Sequence, residues 1–193
     1  ISILVFSICC SIYLTGQQKH FYVLAEMNGV LMLSDSTNTT YWGFGTFNPA
    51  GGPHKIEYPS PTLEVNQGDT VHIHFYNESN EDHTIHLHGL DVDQANDGVP
   101  TTSQAIDPND STIYSFVAYN AGSFIYHCHV ATPLHVAMGM YGMITVLNSP
   151  EANLIYSGGP SFNKSYDFLS SDFDLSWNFN ILTIGPFHLY EAD

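Results

Sequence analysis

Arginine is absent from this chain, and lysine occurs only three times, at Lys19, Lys55 and Lys164, against nineteen acidic residues. The formal net charge is −16. Such a chain has no basic patch with which to neutralise phosphates, which argues against nucleic acid and anionic lipid head groups as partners. The same field favours a basic protein partner or a cationic ligand. Cysteine is scarce too, with Cys9, Cys10 and Cys128 only. The first two lie in the uncharged opening "ISILVFSICCSIYLTG", which is short for a membrane span but suits the apolar region of a secretory signal. Residues 1–16 are therefore expected to be a signal peptide or membrane anchor, and the rest of the protein to lie outside the cytoplasm. That leaves Cys128 without a bridging partner, and a lone cysteine in an exported domain is a reactive thiol or a metal ligand. No stretch carries a long helical period.

What remains is the pattern of an all-β protein. "HFYVLAEMNGVLML" holds β-formers around Asn28-Gly29, a candidate hairpin turn. "TLEVNQGDTVHIHFYNES" alternates apolar and polar residues on either side of a Gln67-Gly68-Asp69 turn and reads as two strands. "STIYSFVAYNAGSFIYHC" gives two more around Asn120-Ala121-Gly122, and "GMYGMITVLNS" another. Many short strands with regular turn signals predict a β-sandwich or barrel over residues 17–150. Residues 151–193 are acidic and aromatic and are expected to form a terminal strand and arm. Sequons at Asn38, Asn77, Asn109 and Asn163 would permit glycosylation of an exported protein.

Six of the eleven histidines fall in two short clusters, "HTIHLHG" and "HCHVATPLH". Side chains alternate faces along a strand, so His127 and His129 point one way and Cys128 the other, while His86 and His88 share a face. The pattern predicts two sites on opposite sides of one strand pair. One holds a thiolate, and the other gathers up to four imidazoles. A soft thiolate with two imidazoles and a weak axial thioether suits copper. Cys128, His135 and Met140 are close in sequence, and His83 is the natural distant ligand. Met138 and Met143 are rivals for the axial place. Zinc is the competing metal, though its sites seldom use methionine. His20, His54, His72, His74 and His188 read as surface or hydrogen-bonded residues, with "HIH" at 72–74 presenting a same-face pair.

On these residues the chain resembles the cupredoxin domains of multicopper oxidases, especially two-domain laccase-like enzymes, and the related copper nitrite reductases. "HTIHLHG" is similar to the family's H-x-x-H-x-H-G, and "YHCHVATPLHVAMGM" to its H-C-H-x-x-x-H element, with a longer interval between Cys128 and His135 than in common laccases. "DGVPTTSQAIDPND" resembles the turn that follows. The resemblance implies a cupredoxin-like Greek-key β-sandwich, a type 1 copper on His83, Cys128, His135 and Met140, and cluster positions at His86, His88, His127 and His129. It also places Asp97 where related enzymes keep an acid for proton delivery. A trinuclear cluster needs eight histidines from two domains, and this chain supplies one such domain. Its tail resembles the opening of a second. Archaeal single-domain cupredoxins with only a type 1 copper are similar as well.

Two functions are expected from this. The first is a mononuclear type 1 copper protein passing single electrons, or performing redox on a small molecule such as nitric oxide or nitrite. The alternative is a multicopper oxidase or nitrite-reductase-like enzyme whose second copper site is completed between subunits of a homo-oligomer, a dimer or trimer. Both are copper-dependent redox proteins, served by a redox partner that the acidity suggests is basic. Copper storage fits less well, because storage proteins use many methionine or cysteine ligands.

Overall fold

The computed structural model describes residues 16–148, 153–156 and 158–184, with only the backbone of residues 182–184. Nearly all of the apolar opening, Cys9 and Cys10 included, lies outside the described residues, as does His188. Among the described residues nine strands run β1 Gln18–Met32, β2 Asn38–Thr46, β3 Lys55–Ile56, β4 Leu63–Asn66, β5 Thr70–Asn77, β6 His86–His88, β7 Ser111–Val117, β8 Gly122–His127 and β9 Tyr141–Leu147. Two α-helices accompany them among the described residues, α1 Thr132–Ala137 and α2 Leu175–Ile184, with a short 3-10 helix at Gln94–Asn96. The strands form two sheets, ordered β3-β2-β1-β5-β7 and β4-β9-β8-β6. This is the expected all-β, cupredoxin-like sandwich.

The alternation in β5 is complete. Val71, Ile73, Phe75 and Asn77 are buried, while His72, His74 and Tyr76 face outward. Leu63 and Val65 of β4 do the same for the other sheet. The Gln67–Asp69 turn joins β4 to β5 but sends them to different sheets, since β4 pairs with β9 and β5 with β1. Asp69 holds the corner. Its buried carboxylate accepts from the backbone N–H of Gln17 at 2.8 Å and of Asn66 at 2.9 Å. Phe44 meets Phe75 edge-on and Tyr126 at a tilt between the layers, and Cys128, Met138 and Met140 belong to the same core cluster.

Three expectations are corrected here. Asn28-Gly29 is not a hairpin turn. Strand β1 runs through it, and the register shift between Glu26 and Gly29 is absorbed as a bulge. Gly29 serves close approach, since a Cβ there would lie 2.5 Å from the ring of Tyr41. The tail contains a helix where a strand was expected. Asp174 caps α2 by accepting the Trp177 N–H at 3.0 Å, and Ile181 of the same helix is buried. The Asn77 sequon is structural. Its side chain is fully buried, and its amide donates to the carbonyls of Glu81 and Ile106, so it is no surface acceptor.

Candidate metal centre

Strand ends position most of the ligand candidates, and a short helix carries His135. His83 pairs with Ile106 in an isolated bridge, its N–H donating to the Ile106 carbonyl at 3.1 Å. Three residues on, β6 begins, and His86 stands opposite His127 of β8. Strand β8 ends at His127, so Cys128 leaves it pointing inward. The chain then turns through Ala131, at φ 41, into the single short helix α1, which carries His135 back toward the sulfur. Met140 closes the loop through its backbone. Its carbonyl accepts from Cys128 N–H at 3.1 Å, and its N–H donates to the His135 carbonyl at 2.9 Å.

The result is a buried triad. His83, Cys128 and His135 are each 0% exposed, and their ligand atoms lie within 4.8 Å of one another. Cys128 Sγ is 3.1 Å from His135 Nδ1 and 3.5 Å from His83 Nδ1. Metal–sulfur and metal–nitrogen bonds of ordinary length would set these atoms roughly 3.3–3.8 Å apart, a range that the His83 separation meets and the His135 separation falls just short of. The donor chemistry, one thiol and two imidazoles converging in a dry core, fits copper. Burial pushes the Cys128 thiol up to about 11, against weaker opposing hydrogen bonds from Thr84 and Val130. Burial, then repulsion from His135, lowers His83 to about 3, and burial lowers His135 to about 4. Both imidazoles are thus neutral and able to ligate at neutral pH. Met138 and Met140 are both fully buried, and Met143 is nearly so, in β9 opposite Ile125. Only Met140 is tied by its backbone to both Cys128 and His135.

Across the strand lies the second group. The ligand atoms of His86, His88 and His127 also lie within 4.8 Å of one another, and His127 Nε2 is 3.4 Å from His88 Nδ1. The ring of His129 sits 5.1 Å from that of His86 and 5.8 Å from that of His127. Two tautomers are fixed by carbonyls, which can only accept. His127 Nδ1–H donates to the Cys128 carbonyl at 2.9 Å, and His86 Nδ1–H to the Asp97 carbonyl at 2.7 Å. The Nε2 lone pair of His86 is left for a ligand, and that of His127 is turned toward His88 Nδ1 inside the group. Burial lowers the His127 pKa, opposed by that hydrogen bond and aided by its neighbouring imidazoles. Asp97 lies beside this group, its Oδ1 3.2 Å from His86 Nδ1. Gly98 makes this fit. It has φ +70, and a Cβ there would lie 2.0 Å from the Ile85 carbonyl oxygen. Unlike the buried triad, this group is open, with His88 exposed and His86 and His129 half-buried.

The sequence motifs did not single out Thr84 or Glu81, although both sit inside or beside "HTIHLHG". Thr84 Oγ1 accepts the His129 N–H at 3.0 Å, so it ties one cluster to the other. Glu81 lies 3.4 Å from His135 Nε2, and burial followed by Asp82 raises its carboxyl.

Residues 55–151 match the family model described as multicopper oxidase. The chain belongs to the multicopper oxidase family. Multicopper oxidase VdtB of Byssochlamys spectabilis is 39% identical over 97 residues, which is 49% of this chain and 14% of that protein. The copper-containing nitrite reductase of Neisseria meningitidis is 28% identical over 165 residues, covering 84% of this chain and 37% of its own length. Among solved structures, the blue copper oxidase from Nitrosomonas europaea is similar at a TM-score of 0.58 and 32% identity, covering 67% of this chain and 39% of that one. The chain thus spans well under half the length of these multicopper relatives. Copper is the family's cofactor, and its chemistry is redox. These likenesses fit the multicopper alternative better than the mononuclear reading.

Proposed function

We propose that this chain is the cupredoxin unit of a multicopper redox enzyme. His83, Cys128, His135 and Met140 hold a type 1 copper in this reading. His86, His88, His127 and His129 supply half of a second copper site, which histidines of another subunit complete. Residues 17–150 form the unit, and the tail from residue 151 is an extension of it. One observation carries the proposal: two convergent donor groups lie on opposite sides of the single tripeptide His127-Cys128-His129.

Copper supplies the one-electron steps at both places. The protein's part is to fix the donors and the path between them. The peptide bonds on either side of Cys128 link the buried thiol directly to two imidazoles of the open group. The Cys128 carbonyl orients His127, and the Asp97 carbonyl orients His86. The Asp97 carboxylate, half-exposed beside His86, can hold a proton and hand it to a small oxygen-containing substrate such as oxygen or nitrite. Dry packing around Cys128 keeps water from the thiol, while the openness at His88 admits a substrate and a second subunit.

Electron entry belongs on the His135 side. There the tail forms an open cleft of about 510 Å³ lined by Val136, Ala137, Tyr141, Asp172, Asp174 and Trp177. Its two carboxylates and the net charge of −16 suit a basic redox partner. Replacing His127 and His129 together by alanine tests the reading. The copper-loaded variant is expected to keep the intense visible band of a copper–thiolate while oxygen and nitrite reduction fall to background. Loss of the band with the activity, or survival of the activity, contradicts the division of labour. A wild-type protein that keeps the band but reduces neither substrate favours the mononuclear reading.

A further inference from the structure

A third group of histidines lies on the other sheet, away from both donor groups. Strands β1 and β5 run parallel, with His20 opposite His72 and Tyr22 opposite His74. All four side chains stand on the outer face, because the inner positions of β5 are taken by Val71, Ile73 and Phe75. His72 has both ring nitrogens engaged. Nδ1 meets Ser115 Oγ at 2.8 Å, and Nε2 meets Gln18 Oε1 at 2.6 Å. It stacks on His20 with ring centroids 4.8 Å apart and holds that ring in place. Tyr22 does the same for His74 at 4.6 Å. The two rings held in this way face each other and share a hydrogen bond, His20 Nδ1 to His74 Nε2 at 2.9 Å, whose proton an ion would displace. Among the described residues no carboxylate forms an ion pair with any of the three imidazoles.

We infer that His20 and His74 form a two-nitrogen surface site for a tetragonal divalent ion, Cu(II) above Ni(II), distinct from the two donor groups around Cys128. The separation decides the ion class. Two metal–nitrogen bonds of about 2.0–2.1 Å closing on atoms 2.9 Å apart make an angle of about 90°. That is the angle between neighbouring ligands in square-planar or tetragonal coordination. Tetrahedral zinc would need the nitrogens roughly 3.3 Å apart. Each ring can carry its proton on its other nitrogen, leaving both facing lone pairs for the ion, and water fills the remaining positions. The order Cu(II) over Ni(II) follows the general affinity series. The strong negative charge of the chain raises the local cation concentration. The site needs neither the type 1 assignment nor a second subunit.

The test adds Cu(II), and in parallel Zn(II), to full-length protein already loaded with copper, and follows heat and EPR. Wild type is expected to take one further equivalent of Cu(II) with a tetragonal signal split by two nitrogens, and to bind Zn(II) more weakly. His20→Gln and His74→Gln should each weaken that equivalent about tenfold or more, as loss of one of two ligands demands. His72→Gln, which removes only the ring that steadies His20, should weaken it by less than either. Circular dichroism and the melting temperature establish that each variant is folded, which the outward placement of these side chains favours. No further equivalent in wild type, the same affinity in all variants, an equal loss in His72→Gln, or tighter binding of Zn(II) each overturns the site.

Discussion

Two imidazoles held neutral in a dry core give the metal-free protein a distinct response to acid. Unfolded, His83 and His135 would protonate near 6.5. Folded, burial holds them at about 3 and about 4. Both folded values lie below the unfolded ones, so on acidification from about pH 6.5 to pH 4 the unfolded chain takes up protons that the fold refuses. Stability must fall over that window, by at most about 1.4 kcal/mol per pH unit for each residue. Cys128 acts at the other end. Its folded thiol is held up to about 11, so ionisation of the unfolded thiol erodes stability as pH rises from about 8.5 toward 11. Urea unfolding of copper-free protein is expected to show a midpoint that drops between about pH 7 and pH 5. The drop should be shallower when His83 and His135 are both replaced by asparagine. An equally steep drop in that variant would place the acid sensitivity elsewhere.

At the scale of elements, the strands and the tail were not equally legible. β4, β5, β7, β8 and β9 announced themselves by alternation between turn residues, and so did the two faces of His127-Cys128-His129, because a period of two is local and strict. What escaped depends on distant partners. Asn28-Gly29 has turn composition, but Gly29 answers to the ring of Tyr41, which the sequence does not place beside it. The sequon at Asn77 looks like any other until its amide is seen holding the carbonyls of Glu81 and Ile106. Helix α2, "LSWNFNILTI", has a weak period and two asparagines, and its stability comes from tertiary contacts. Asn178 Nδ2 donates to the Thr40 carbonyl at 3.1 Å, and Trp177 packs on the core. Its start rests on the Asp174 cap. Asp174→Ala is expected to cost about 1 kcal/mol, lowering the melting temperature by about 2–4 °C, while Asp174→Asn, which can still cap, leaves it nearly unchanged. Equal losses in both variants would assign the effect to charge rather than to the cap.

At the scale of the whole molecule, the sandwich presents one closed donor group and one open one. The closed group needs nothing beyond this chain. The open group gathers the buried His127 and three more accessible histidines, of which His88 is exposed; four is half the number that a trinuclear cluster uses, and oligomerisation is the means of completion that the proposal requires. Copper content distinguishes a working second site from an idle one, provided the outer-face pair is removed from the count. The most direct measurement is therefore copper per chain on purified, copper-loaded His74→Gln protein, with an EPR spectrum of the same sample and its mass in solution. The account predicts more than one copper per chain, a narrow type 1 signal accompanied by a second, broader one, and an oligomer. A single copper per chain with only the type 1 signal would contradict it, leaving His86, His88, His127 and His129 without a metal to hold.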